Sequence, residues 1–230
     1  MIINHSHKFI FVHVPKAAGT TVTSTLSTLT RYCDQEIGGT PLGEAIQPFF
    51  NRRFGLRKHA TAREIIKVIG AETWESYFTF SFVRNPFERL VSTYYFLKSW
   101  TGVPAEFAET LAKVRTLDEF LESDLWIERP GPDNIFMPQV HWLMDVENKN
   151  LAVDFIGRTD TLLADLATVG ARAKVSLDLS VPVIANKTPE YHRKVGWSKG
   201  LINKVADRYE RDFRMLHYST EPELPGEIAG

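Results

Sequence analysis

Lys16-Ala17-Ala18-Gly19-Thr20-Thr21 puts a fixed positive charge, three small residues and two hydroxyl donors into six consecutive positions. That combination suits a phosphate. Ala17, Ala18 and Gly19 let an anion approach the backbone N–H groups, Thr20 and Thr21 add hydroxyls, and Lys16 adds charge. The flanking sequence fits the same use. Phe9-Ile10-Phe11-Val12-His13-Val14 is an apolar run of strand length that breaks at Pro15. Val22, Leu26, Leu29 and Cys33 then recur at helical spacing. A strand, a small-residue loop and a helix N-terminus aim backbone donors and the positive end of a helix dipole at one point. The loop is not a Walker A sequence: Gly19 is followed by Thr20-Thr21 rather than Lys-Ser/Thr, the lysine precedes the glycine, and Val14 stands where the first glycine belongs. A clamp on the β- and γ-phosphates of ATP is therefore not expected. The plain alternative is an ordinary strand-to-helix turn with a surface lysine.

His59 is the second residue suited to chemistry. It follows a basic cluster, Arg52, Arg53, Arg57 and Lys58, and precedes Thr61-Ala62-Arg63-Glu64, which has capping-box spacing. A loop histidine among cations has its charged form disfavoured, which leaves a neutral ring able to take a proton as a general base. An exposed bystander histidine on a solvated basic face is the competing reading. Farther on, Tyr77–Val83 reads as a buried strand, and Asn85-Pro86 as a cap and first turn of a helix. Phe87, Leu90, Val91, Tyr94 and Leu97 form that helix's apolar face, with Arg89 and Ser92 off it. Arg84 stands where the strand ends, the usual place for ligand contacts in an open parallel sheet, and offers a planar fork for a phosphate. A structural ion pair with Glu88 would explain Arg84 equally simply.

The 230 residues suit one α/β domain covering 1–230, with 221–230 as a frayed tail. Hydrophobic residues make up 43% and charged residues 24%, as in soluble globular proteins, and a formal net charge of −1 gives no electrostatic argument for nucleic acid. Cys33 is the single cysteine, so no intrachain disulfide forms, and a cytoplasmic location is expected. No signal-peptide pattern, membrane span or His/Cys/carboxylate metal cluster is evident. Residues 42–58 show weak periodicity. Helices are expected at Ala105–Val114, Leu117–Leu121, about 161–174 and, capped by Ser198, 201–216; a third strand is expected at 151–157 and an extended segment at Val175–Val183. Trp126, Phe136, Met137, His141 and Trp142 suit either an acceptor cleft or, more commonly, core packing.

Two of these stretches carry a resemblance. Phe11-Val12-His13-Val14-Pro15-Lys16-Ala17-Ala18-Gly19-Thr20 resembles the 5′-phosphosulfate loop of sulfotransferases, and Phe82-Val83-Arg84-Asn85-Pro86-Phe87-Glu88-Arg89-Leu90-Val91-Ser92 resembles their 3′-phosphate motif. The chain is similar to the carbohydrate-type family that includes the heparan 2-O- and chondroitin sulfotransferases. The similarity continues through Lys58–Glu64, Pro138-Gln139, Val153–Arg158, Asn186-Lys187-Thr188-Pro189 and Asp212-Phe213. The resemblance implies 3′-phosphoadenosine 5′-phosphosulfate (PAPS) as sulfuryl donor, 3′-phosphoadenosine 5′-phosphate (PAP) as product, and a hydroxyl of a glycan or glycoconjugate as acceptor. It implies that Lys16 contacts the 5′-phosphate and bridging oxygen, and that residues Ala17, Ala18, Gly19, Thr20 and Thr21 hold the 5′-phosphate. It further implies that Arg84 and Ser92 bind the 3′-phosphate, that His59 is the catalytic base, and that Lys187 and Thr188 close over the nucleotide. Thr159-Asp160 departs from the aromatic–Glu pair that often follows in the family, so no role is carried to that turn.

The expected architecture is a single P-loop-like α/β domain with a mostly parallel central sheet and helices on both faces. The expected reaction is metal-free, in-line sulfuryl transfer. Two alternatives stay open: a P-loop kinase using ATP and magnesium, with Leu151-Ala152-Val153-Asp154 as a loose Walker B strand, and a non-catalytic nucleotide- or glycan-binding module.

Overall fold

The computed structural model describes residues 1–179 and 195–222. In chain order the elements are β1 (Ile2–Asn4), β2 (Phe9–Val12), α1 (Gly19–Ser27), β3 (Gln35–Glu36), α2 (Pro41–Phe54), α3 (Ala62–Ile69), α4 (Ala71–Ser76) and β4 (Phe78–Val83). There follow α5 (Pro86–Ser99), α6 (Ala105–Ala112), α7 (Leu117–Glu122), α8 (Leu125–Glu128), a 3-10 turn (Pro132–Asn134), α9 (Val140–Leu143), β5 (Phe155–Arg158), α10 (Leu162–Ala173), α11 (Lys199–Arg208) and α12 (Glu210–Leu216). The chain divides into two compact units, Met1–Arg84 with His141–Ala185, and Asn85–Val140 with Asn186–Gly230.

The first unit holds the sheet, in the order β3-β1-β2-β4-β5. β2, β4 and β5 run parallel, whereas β1 pairs antiparallel with both β2 and β3. The sheet is therefore mixed, not mostly parallel. The difference arises at Met1–Lys8, which forms a hairpin arm rather than a simple lead into the first strand. Asn4 Oδ1 accepts the His7 N–H at 2.7 Å, and Lys8 takes a left-handed backbone with φ 54°, so the chain reverses without the Asn-Gly pair that marks a hairpin in sequence.

β2 is buried along its length and β4 from Thr79 onward, which is why they read as near-continuous apolar runs. Phe9, Phe11, Phe80 and Phe82 share one face and pack with Val22 and Leu26 of α1 and Leu166 and Val169 of α10. Phe11 and Phe80 stack at 5.5 Å. The opposite face, with Ile3 and Ile10, is buried too. Ser81 on β4 meets its polar requirement by donating from Oγ to the Val12 carbonyl at 2.7 Å.

The second unit has a core of Phe87, Leu90, Tyr94, Phe120, Trp126, Phe136, Tyr209 and Phe213. Asn85 caps α5 by accepting the Phe87 N–H, and Ser198 caps α11 by accepting the Leu201 N–H, as their sequence positions imply. Arg89 is buried instead of lying on a polar helix surface: it donates to the carbonyls of Ile135 and Met137. Asp212, fully buried, accepts the backbone N–H groups of Gln139 and Val140. Trp126 and Phe136 are core residues, so the cleft reading of these aromatics does not hold for them. The terminal helix expected at 201–216 is two helices meeting at Tyr209, and residues 175–179 form no strand. Residues 180–183 of the expected extended segment, and most of the expected tail, lie outside the described residues.

Candidate active site

Parallel neighbours place their carboxyl ends on the same edge of a sheet. β2 pairs with β4 in the register Phe9↔Phe78 to Val12↔Ser81, so the loop that follows Val12 and the residue that follows Val83 emerge at the same end of the first unit. Lys16 to Thr21 and Arg84 are thereby brought to one edge.

The loop is conformationally unusual. Lys16 (φ 65°) and Ala18 (φ 57°, ψ 13°) are both left-handed, and neither is glycine. Such residues cost about 1–3 kcal/mol each and cluster at ligand clamps. Left-handed residues in a turn orient successive N–H groups into a concave anion site. α1 starts directly at Gly19, its N-cap Ala18 makes no side-chain capping bond, and no acidic residue lies in its first turn. Its N-terminal N–H groups therefore face the loop without a built-in carboxylate. Gly19 is required by close approach: a Cβ there would lie 1.8 Å from His13 Nε2. This loop suits an anion such as a phosphate on its own geometry.

His59 reaches the same loop. Its Nδ1 lies 2.9 Å from the backbone oxygen of His13, one residue past β2. A carbonyl only accepts, so Nδ1 carries the proton and Nε2 carries the basic lone pair. Four features hold His59 there. Residues 57–60 form a tight turn, with the Ala60 N–H on the Arg57 carbonyl at 2.9 Å. Trp142 donates from Nε1 to the His59 carbonyl at 3.0 Å. The His13 ring meets the His59 ring edge-on at 4.6 Å. Thr61 and Glu64 form the expected capping box that starts α3 two residues later. His59 is half-buried rather than an exposed bystander.

The basic cluster separates into parts. Lys58 pairs with Glu44 of α2 at 2.8 Å, so the cation next to His59 is locally compensated. Arg52, Arg53 and Arg57 are exposed, and Arg53 lies over the exposed ring of Phe54, which is the solvated-face arrangement. Ser92 sits in α5 of the second unit and is buried, not on a polar surface of that helix. Lys187 and Thr188 lie outside the described residues. Thr20 and Ala18 are half-buried, and Ala17, Gly19 and Thr21 are buried in the wall of the loop.

Two participants carry no signal in sequence that marks them out. Trp142 reads as generic core, although its indole N–H pins the His59 backbone. His13 sits inside an apolar strand-like run, yet its ring lies 3% exposed between the loop and His59. Burial pushes the His13 pKa well below the ordinary histidine value, and the nearby charges of His59, the Met1 ammonium, Lys58 and Lys16 push it the same way. The unfolded chain therefore takes up a proton near pH 6.5 that the folded chain refuses, and stability falls as the pH drops below that value. The slope from this one group is at most about 1.4 kcal/mol per pH unit. Urea unfolding at pH 7.5 and 5.5 is expected to show a smaller loss on acidification for His13→Phe than for the native chain.

Asp154 bears on the kinase alternative. It precedes β5 and is bound at the amino-terminal edge of the parallel strands, where the Thr79 N–H and Oγ1 donate to its Oδ2 at 2.8 and 3.0 Å. β5 pairs with β4 from Phe80↔Phe155 to Val83↔Arg158, so Asp154 lies at the opposite end of the sheet from Lys16 and Arg84. A Walker B carboxylate belongs at the phosphate end.

Human (Homo sapiens) carbohydrate sulfotransferase 10 is 25% identical over 173 residues, covering 63% of this chain and 48% of its own. The chain thus spans about half the length of this curated relative. No solved structure matches it. A family model described as the sulfotransferase family matches residues 1–219, nearly the full 230. The chain belongs to the sulfotransferase family.

Proposed function

We propose that this protein transfers a sulfuryl group from PAPS to a hydroxyl of a carbohydrate, with 1–230 acting as one P-loop-like catalytic domain. The observation that carries the reading is the His59 Nδ1–His13 carbonyl hydrogen bond, which fixes a basic imidazole nitrogen beside a strained, anion-ready loop. The family supports the donor, and the name of the human relative supports a carbohydrate acceptor.

Bound PAPS supplies a sulfuryl group attached to a good phosphate leaving group. The N–H groups of Ala17 to Thr21, with the hydroxyls of Thr20 and Thr21, hold the 5′-phosphate at the N-terminus of α1. Lys16 places its ammonium beside the oxygen on which charge grows as the sulfuryl group leaves, an interaction strongest in the transition state. His59 Nε2 accepts the proton of the acceptor hydroxyl. Arg84 forks onto the 3′-phosphate.

Arg84 gives the reading a direct binding test. PAP is expected to bind about ten- to a hundredfold more tightly than AMP, because a charge-assisted contact is worth roughly 1.5–3 kcal/mol. Arg84→Ala removes most of that preference. Calorimetric titration with PAP, AMP and ATP–Mg²⁺ decides: equal affinity for PAP and AMP, or a preference for ATP–Mg²⁺, overturns the 3′-phosphate site and favours the kinase.

A further inference from the structure

His13 is the least expected residue at this site. It is all but buried, Phe11 stacks on one side at 5.5 Å, and its Nδ1 has no hydrogen-bond partner among the described residues. A buried polar atom without a partner costs about 1–3 kcal/mol, and such atoms call for an explanation. The ring touches both parts of the proposed machinery. On one side it fills the space a Cβ on Gly19 would take, against the first residue of α1. On the other it meets His59 edge-on at 4.6 Å with an interplanar angle of 72°. The backbone oxygen of the same residue takes the His59 Nδ1 proton.

A hydrogen bond to Nδ1 fixes the tautomer, and a rigid ring packed against the imidazole constrains its plane, and with it the direction of the Nε2 lone pair. A flexible side chain of similar volume fills the space without defining a plane. We propose that the His13 ring is a positioning residue that sets the orientation of the His59 imidazole relative to the phosphate loop. This rests on the sulfotransfer reading, in which His59 is the base.

Neutrality completes the role. Among the described residues, the charged or titratable groups that act most strongly on His13 are His59 and Lys58 from the 57–60 turn, Lys16 from the loop and the amino group of Met1 from the sheet. A proton on His13 would add a cation against a base that must itself accept one, and burial keeps that proton off.

The test compares His13→Leu, which keeps apolar bulk without a plane, with His13→Phe, which keeps the ring, and uses His13→Met as a second plane-less variant should leucine fail to fold. Misplacing a reacting group by about 1 Å costs on the order of 10²-fold. His13→Leu is therefore expected to lower kcat about ten- to a hundredfold, with KM for PAPS and the affinity for PAP changed less than about threefold, which is under 0.7 kcal/mol. His13→Phe is expected to restore most of that loss. NMR of the His59 side chain supplies a readout independent of turnover: the same Nδ1–H tautomer in all three chains, with the ring torsions, read from side-chain couplings, fixed in the native chain and in His13→Phe and averaged in His13→Leu. Native turnover in His13→Leu, or an unchanged His59 spectrum with equal losses in the leucine and phenylalanine variants, overturns the proposal. Absence of any sulfuryl transfer by the native protein defeats the functional reading instead, and the NMR comparison still decides whether His13 orients His59.

Discussion

His59→Ala is expected to reduce sulfuryl-transfer turnover by about 10²–10⁴-fold, the scale of a positioned proton transfer, while PAP affinity barely changes. The two effects separate because of where the groups sit. In the proposed site the loop N–H groups and Arg84 hold the nucleotide phosphates, whereas His59 contributes a nitrogen whose lone pair is set by the Nδ1 bond to the His13 carbonyl. His59→Gln keeps a hydrogen-bonding group at the position but cannot accept the proton, so it is expected to be nearly as slow. In the native protein the rate is expected to rise with pH as the proposed base loses its proton, and that limb is expected to disappear in both variants. Steady-state kinetics across pH together with PAP titration checks all three points. Near-native turnover in both variants would mean that water or another group takes the proton.

The second large effect belongs to Lys16. Lys16→Ala is expected to cost about 10²–10³-fold in kcat, as for loss of a group aimed at developing charge. PAP binding is expected to weaken by much less. The reason is differential: the ammonium meets more charge on the leaving oxygen in the transition state than in the ground state. The left-handed backbone at Lys16 supports this use, because the chain accepts strain to aim that residue. Comparing kcat with the dissociation constant of PAP separates the roles. A collapse of PAP binding with normal turnover per bound enzyme would reduce Lys16 to an anchor.

Much of the positioning was legible before the structure. β2, the loop and α1 follow from one apolar run, one proline and a helical repeat, because each is a local signal. The capping box at Thr61 and the caps at Asn85 and Ser198 are local in the same way. What periodicity missed was exposed or non-local. α2 buries only Gly43, so it has no apolar stripe to read, and its only signs were Thr40-Pro41 at the start and Gly55 at the end. Cys33 continued the spacing of α1 but lies outside it and is exposed, because the helix stops at Ser27. The antiparallel arm β1 depended on a turn built from Asn4 and a left-handed Lys8, a pairing no dipeptide announces. The site shows the same division. Lys16 and Arg84 could be proposed from where strands end, whereas the contact between His59 and His13 joins residues 46 positions apart and had to be seen.

The proposed activity is sulfuryl transfer from PAPS to a carbohydrate hydroxyl. It is tested most directly by incubating the purified protein with PAPS carrying radiolabelled sulfate and a panel of glycans, then counting label in the glycan fraction. The expected result is label transferred to at least one glycan by the native protein, accompanied by stoichiometric PAP and reduced by about 10²-fold or more in His59→Ala. Label that stays in PAPS across the panel, from a protein that binds PAP no better than AMP, would contradict the account.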